Sequence, residues 1–343
     1  MKILFTAEYD EKYLGQLKSF GEVNIQGWAR GIAKLSQNEL IELSRDVDII
    51  ITSYDDITQE VIEAAPKLKL IACTRATPVN IDTNYAQAKN IKVIYTPGRN
   101  SDSTAEHTIA LMLSIARKIP MAHQQLKAGN FTGKTTENQG TIAGLRRDVV
   151  WGFDNQSPYV VFKGSELKDK TLGIVGYGSI GRRVEKIASA FGMNILIYDP
   201  FVANIEIDGV GRKKVDFDTL LTDSDFVTVH LKVTPATEGI FNQAAFAKMK
   251  PTAYFINSAR AAVMIEADLI DALRRQVISG AALDVYEQEP LWEGHPYITE
   301  LENVVITPHI AGATYDVLAN HTLMIIQELE RFVNGEQLLY EYK

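Results

Sequence analysis

Cysteine is nearly absent from this chain. Cys73 is the only one in 343 residues, so no disulfide can form within it, which fits a reducing compartment. The six histidines and that cysteine show no metal-ligand spacing of the HExxH or CxxC kind, and no metal is expected. Positive charge is not in excess: 35 Lys and Arg against 43 Asp and Glu give a formal net charge of −8, which argues against a broad nucleic-acid or anionic-membrane surface. No apolar run reaches membrane-spanning length, and the opening Met1-Lys-Ile-Leu-Phe-Thr-Ala-Glu8 turns acidic too soon for a signal peptide. Short repeats and low-complexity tracts are missing as well. A cytoplasmic globular protein is the expectation, and 46% hydrophobic with 23% charged residues is a globular composition. The length suits two domains of ordinary size.

Strand-like and helix-like segments alternate almost throughout, which predicts an α/β fold of two doubly wound parallel-sheet domains. Strands are predicted at Lys2–Thr6, Val23–Gln26, Asp48–Thr52, Leu68–Cys73 and Lys92–Tyr95. A second series runs Asn194–Tyr198, Phe226–Leu231, Ala253–Asn257, Gly280–Val285 and Asn303–Ile306. Helical patterns fall at Gln37–Ser44 and Gln59–Ala64. Ser103–Ala128 is apolar at helical spacing and reads as one long helix bridging the two units; Tyr315–Val333 carries another helical stripe. Thr132–Tyr159 is rich in Gly, Asn, Asp and Thr, an irregular stretch of a length that is usually functional or mobile.

The strongest single motif is Thr171-Leu-Gly-Ile-Val-Gly-Tyr-Gly-Ser-Ile-Gly181. An apolar strand runs into a G-x-G-x-x-G turn, a helix follows, and the next strand ends at Asp199. Gly176 serves the tight turn, Gly178 a close backbone approach to a pyrophosphate, and Gly181 close helix–strand packing. Ser179 and Ile180 open the helix, whose N-terminus faces the phosphates with unpaired N–H groups. Asp199 lies 18 residues past Gly181, where a carboxylate accepts hydrogen bonds from a ribose diol and repels a 2′-phosphate. The cofactor expected is therefore NAD rather than NADP. Because some 170 residues precede this motif, the cofactor domain (102–313) reads as inserted into a substrate domain made of 1–101 and 314–343, with an irregular insertion at about 132–159.

Removing a hydride from a hydroxy acid requires a cation for the carboxylate, a base for the hydroxyl proton and a group that orients the base. Three residues just after cofactor-domain strands have the right chemistry. Arg260 can grip a carboxylate in two-pronged fashion. His309, in Thr307-Pro-His-Ile-Ala-Gly312, carries an imidazole, which can remove a proton in oxidation and return it in reduction. Glu289, in Asp284-Val-Tyr-Glu-Gln-Glu-Pro290, can fix the imidazole tautomer. Rivals exist: His107 lies in a helical pattern and reads as packing between domains, His230 also ends a strand, and Glu287 and Glu293 compete with Glu289.

Jointly these residues resemble the D-isomer-specific 2-hydroxyacid dehydrogenase family, which includes phosphoglycerate, glycerate, glyoxylate/hydroxypyruvate and D-lactate dehydrogenases. The matching blocks are Val175–Gly181, His230-Leu-Lys-Val-Thr-Pro235, Phe255-Ile-Asn-Ser-Ala-Arg260, Ala282–Pro290, Thr307–Gly312, and upstream Tyr95-Thr-Pro-Gly-Arg-Asn100 with Ala105-Glu-His107. The likeness spans roughly residues 65–315. It implies a flavodoxin-like substrate domain and a Rossmann NAD-binding domain that close over the substrate, and a homodimer through the cofactor domain. It implies Arg260 at the substrate carboxylate, His309 as acid/base and Glu289 as its partner. Asp284 is implied at the nicotinamide carboxamide, Asn257, Ser258, Ala259 and Gly312 along the cofactor, and His230 and Thr234 near adenosine and ribose. Arg75, Ala76, Thr77 and Asn100 are implied as substrate contacts.

The chain departs from the family in its substrate loop, Cys73-Thr-Arg-Ala-Thr-Pro-Val-Asn-Ile-Asp82, which has no glycine. Arg75 and Arg99 raise its positive charge, pointing either to a phosphorylated or sugar-derived acid or to paired surface charges. The Thr132–Tyr159 segment is longer than in most relatives and is expected to cover the site or extend the dimer contact. Two other readings compete: a non-catalytic NAD(H)-sensing interaction protein on the same fold, and another NAD enzyme with a late cofactor domain, which would lack the Arg260/Glu289/His309 spacing.

Overall fold

A computed structural model describes residues 1–31, 33–132 and 155–343, so most of the Thr132–Tyr159 segment lies outside the described residues. The chain forms two compact units, Met1–Asn100 with Ala313–Lys343, and Ser101–Gly312.

The first unit is built on β1 (Lys2–Phe5), β2 (Glu22–Ile25), β3 (Ile49–Thr52), β4 (Leu70–Cys73) and β5 (Lys92–Ile94). Their order is β2-β1-β3-β4-β5 with every pairing parallel, the flavodoxin-like arrangement. Neighbouring residues point into opposite cores. Ile3, Phe5, Ile49, Ile51, Leu70 and Ala72 join one cluster, while Leu4, Ile50, Ile71 and Cys73 join the other. Both faces are covered, which is why these strands read as unbroken apolar runs rather than alternating ones. The helix Tyr315–Asn334 lays Ile325, Ile326 and Leu329 into the cluster of Ile3 and Phe5. Beyond it, Tyr95 N–H donates to the Tyr340 carbonyl (3.1 Å) and Tyr342 N–H to that of Val93 (2.8 Å), an antiparallel edge beside β5.

The second unit carries β6 (Thr171–Val175), β7 (Asn194–Tyr198), β8 (Arg212–Lys214), β9 (Phe226–Val229), β10 (Tyr254–Asn257), β11 (Gly280–Leu283) and β12 (Val304–Ile306). The order is β12-β11-β10-β9-β6-β7-β8, again all parallel, so the strand order reverses between β6 and β9. Ligands of open α/β sheets bind outside the carboxyl ends of strands at such a reversal. Strand β8 went unpredicted. It is a basic edge strand paired only to β7 and buries no side chain, so it has no apolar period to read.

The expected long helix over Ser103–Ala128 is instead two helices, Ser101–Ala116 and Ile119–Lys127, and the first lies wholly in the second unit. Pro120 is the residue whose N–H would have bonded the Ala116 carbonyl, and it has none. Ser165 N–H donates there instead (2.9 Å), and Lys118 turns left-handed at φ 52°. The first helix packs Ala105, Ile109, Met112 and Ile115 against Leu172, Ile174, Ile256 and Ala282.

A buried histidine in the first unit makes its stability depend on acid. His321 is 3% exposed. Its Nε2–H donates to the Glu8 carbonyl (2.8 Å), which leaves Nδ1 to accept from Arg99 Nη1 (3.2 Å). Burial, opposed by the Glu8 bond and reinforced by the Arg99 charge, pushes its pKa down to about 4. The unfolded chain titrates this ring near its ordinary value of about 6.5 and so binds more protons than the folded one between the two pKa values. Stability is thus complete above about pH 6.5 and falls as pH drops toward 4. Urea unfolding of the wild type should show that slope, and His321→Gln a shallower one; equal slopes would remove the assignment.

Candidate active site

At the carboxyl end of β6 the three motif glycines have different physical reasons. Gly176 has φ 96°, and a Cβ there would lie 2.7 Å from the His230 carbonyl oxygen, so β6 and β9 meet too closely for a side chain. A Cβ on Gly181 would collide with the Gly176 carbonyl oxygen. Gly178 has nothing within 4 Å of its Cβ position. The protein's own packing does not require glycine at Gly178; a group brought against this backbone would. Gly178 caps the helix Ser179–Ala190, whose first N–H groups open beside it. Ser179 Oγ accepts from Ser101 Oγ at 2.9 Å.

Asp199, just past β7, accepts from the N–H of Tyr177 (2.8 Å) and of Phe201 (2.9 Å), which fixes its carboxylate beside the glycine turn. It lines a cavity of ≈ 500 Å³ together with Tyr198, Asn204, Lys213 and Lys214. The two lysines come from the unpredicted β8 and were not anticipated there. His230 directly follows β9, with Nε2 3.1 Å from Thr228 Oγ1 and Nδ1 buried without a partner among the described residues. Burial pushes its pKa down to about 3, so the ring stays neutral, and it does not line the cavity of Arg260 and His309. Thr234 is folded into its own turn by Thr237, which accepts from its N–H at 2.8 Å.

Asn257, the last residue of β10, is fully buried and shapes the turn that follows it. Its Oδ1 accepts from Ala259 N–H (3.0 Å) and its Nδ2 donates to the Arg260 carbonyl (3.0 Å). Ser258 Oγ pairs with Thr108 Oγ1 at 2.7 Å. Arg260 projects from this turn, exposed, with one bond from Nη1 to the Ala259 carbonyl (2.6 Å) and no carboxylate partner among the described residues.

Arg260, Glu289 and His309 line one open cavity of ≈ 590 Å³, so the three sequence-predicted residues come together. His309 Nδ1 lies 2.6 Å from Glu289 Oε2. With the carboxylate accepting from Nδ1–H, Nε2 is the nitrogen left to exchange a proton. Glu289 Oε1 accepts from Tyr286 N–H (3.1 Å), which fixes the carboxylate plane. Glu287 lines the same cavity but is committed elsewhere. Glu266 and Glu287 accept from one another's backbone N–H (both 3.1 Å), and buried His295 lies 2.9 Å from Glu266. His309 has φ 55°, a left-handed conformation costly for a residue with a Cβ. Behind it, fully buried Asp284 accepts from Thr307 Oγ1 (2.6 Å), Ile310 N–H (2.9 Å) and Ala311 N–H (2.8 Å). Gly312 directly follows this anchored stretch. The contacts of His107 lie inside its own unit, at Thr307 and Asp284.

In the first unit, Ala76 and Thr77 are exposed in the loop after β4, and Asn100 is half-buried. The Arg75 guanidinium lies 5.3 Å over the Tyr54 ring. Arg99 is half-buried; among the described residues its Nε has no hydrogen-bond partner, and its Nη1 lies 3.2 Å from Nδ1 of neutral His321. Among the described residues neither arginine forms an ion pair with a carboxylate. His321 itself was missed. The signal was present in the helical stripe, since it falls four residues after buried Val317 and four before buried Ile325.

The family described as D-isomer specific 2-hydroxyacid dehydrogenase, NAD binding domain, matches residues 109–311. The chain is 34% identical to the glyoxylate reductase of Thermococcus litoralis, over 98% of this chain and 94% of that one. It is 36% identical to the D-3-phosphoglycerate dehydrogenase of Archaeoglobus fulgidus, over 98% of this chain but 58% of that protein, so it spans little more than half of that relative's length. The apo-structure of D-lactate dehydrogenase from Escherichia coli matches with a TM-score of 0.77 at 27% identity over 100% of both chains. With parallel sheets of five and seven strands, a glycine turn at the strand reversal and these relatives, the chain belongs to the D-isomer-specific 2-hydroxyacid dehydrogenases, a family of nicotinamide-dependent oxidoreductases.

Proposed function

We propose that the protein interconverts a D-2-hydroxy acid and its 2-keto acid with NAD, using Arg260, Glu289 and His309. The observation that carries this reading is the 2.6 Å contact of His309 with Glu289, in one cavity with a guanidinium that has no carboxylate partner among the described residues. NAD, when bound, takes or gives the hydride at C2 of the acid. Arg260 holds the substrate carboxylate and polarises the adjoining carbonyl. His309 takes the hydroxyl proton on Nε2 in oxidation and returns it in reduction, while Glu289 stabilises the imidazolium and holds its orientation. Gly176, Ser179, Ile180 and Gly181 shape the phosphate turn, and Asp199 favours the unphosphorylated ribose of NAD. Asp284, Gly312 and the Asn257–Ala259 turn flank the nicotinamide end, and His230 and Thr234 the adenosine side. The open space at Gly178 supports a close cofactor approach.

In the first unit, Arg75 and Arg99, with Ala76, Thr77 and Asn100, would meet the substrate's far end. Two guanidinium groups that form no ion pair among the described residues favour an acid with a second anionic group, as in a phosphorylated or sugar-derived acid. A homodimer through the cofactor domain and a cytoplasmic location complete the reading.

His309→Gln should lower kcat by about 10²- to 10⁴-fold while NADH still binds, as followed by nicotinamide fluorescence; near-normal turnover would falsify the acid/base role. Gly178→Ala adds a methyl where the protein has open space at φ −79°, so its melting temperature should hold. Its NADH affinity should drop roughly tenfold or more, ~1.4 kcal/mol. Unchanged affinity would show that nothing approaches that backbone. Arg99→Met should raise KM for 3-phosphohydroxypyruvate by about ten- to a hundredfold, as for loss of a charged hydrogen bond, and leave glyoxylate unaffected. Equal effects on both would rule out the second anionic group.

A further inference from the structure

We infer that His107 is a positioning residue for the proton-exchanging histidine, acting through Thr307 and Asp284. This inference rests on His309 being the acid/base.

His107 stands on the helix Ser101–Ala116, two residues past Ala105, which is packed into the core. Its Nε2 lies 3.1 Å from Thr307 Oγ1 and 3.5 Å from Asp284 Oδ1. The Thr307 hydroxyl donates its single hydrogen to Asp284 Oδ1 (2.6 Å), so Thr307 can only accept from His107, and Nε2 carries the proton. The histidine therefore donates into a polar cluster whose other members all touch the His309 turn. Thr307 precedes His309 by two residues, and its carbonyl accepts from His309 N–H (3.0 Å) and from the Tyr286 hydroxyl (2.7 Å). Ile310 and Ala311, directly after His309, send both of their N–H groups to Asp284.

These bonds grip the chain on both sides of a residue held at φ 55°. Without them the backbone at His309 would relax toward the ordinary right-handed or extended regions. The ring would then swing away from Glu289, which is anchored independently by Tyr286 N–H. His107 sets the hydroxyl rotor of Thr307, and with it the direction of the shortest bond to Asp284, 2.6 Å. The neighbouring Thr108 and Ser258 hydroxyls bond each other and leave this task to His107.

The test compares His107→Phe, which keeps the ring volume but removes the donor, with His107→Gln, which keeps an N–H donor. In the folded, full-length protein His107→Phe should lose roughly 10- to 100-fold in kcat, the size of effect that follows a displacement of about 1 Å at a reacting group. NADH affinity should be unchanged and His107→Gln should recover most of the rate. Thr307→Val should show a loss of the same order, and the double variant His107→Phe/Thr307→Val should be no worse than the worse single one, since both break one chain of contacts. Wild-type turnover in His107→Phe, failure of Gln to rescue, or multiplying losses would each overturn the inference. If His309→Gln also keeps its turnover, the acid/base reading falls with it; if His309→Gln is dead while His107→Phe is active, only the role of His107 is lost.

Discussion

Asp284 is a carboxylate with no solvent exposure just past the end of β11, and that placement constrains everything around it. Burial alone would favour its neutral form. Hydrogen bonds from His107, Thr307, Ile310 and Ala311 outweigh burial and hold its pKa below the usual carboxylate range. A buried charge has to collect donors, and here the nearest ones flank His309. Meeting the needs of Asp284 and shaping the turn that presents His309 are therefore the same event. The left-handed backbone at His309, unfavourable in isolation, is over-determined by these surroundings.

The two ends of the His309–Glu289 pair are secured by different means. His309 is held by the strand-end carboxylate behind it. Glu289 belongs to a segment stitched to the helix Glu266–Arg274 by the reciprocal bonds of Glu266 and Glu287, with buried His295 closing the far side. Arg99 shows the opposite treatment of charge. Among the described residues its side chain bonds a neutral imidazole and forms no ion pair with a carboxylate. Unbalanced cations of this kind suit ligand recognition more than stability.

Much of this was legible beforehand. The paired parallel sheets announce themselves through apolar strands such as Ile49–Thr52 and Phe226–Val229, which need both faces covered. The glycine turn and the Arg260, Glu289 and His309 positions follow from chemistry placed just after strands. What stayed hidden has physical causes. Strand β8 is Arg-Lys-Lys and has no fully buried residue. The break at Lys118 depends on Ser165, 45 residues or more away in order, taking over a carbonyl that Pro120 cannot serve. His107 and His321 sit in apolar helical stripes, where a polar residue looks like an exception until the partners from distant strands are known. Pattern reading sees period and local chemistry; it does not see which buried acceptor a side chain will meet.

The short segment around Tyr340–Tyr342 runs antiparallel beside β5 and takes up hydrogen-bonding groups along the rim of the five-stranded sheet. An open rim of that kind is a template on which a strand from another molecule can add. By occupying it with its own chain, and placing Lys92 opposite Glu341 at 3.4 Å, the protein guards that side against runaway sheet extension and self-association. The final residues thus act less as an appendage than as a selvedge, finishing the fabric of the sheet so that it does not unravel into fibres.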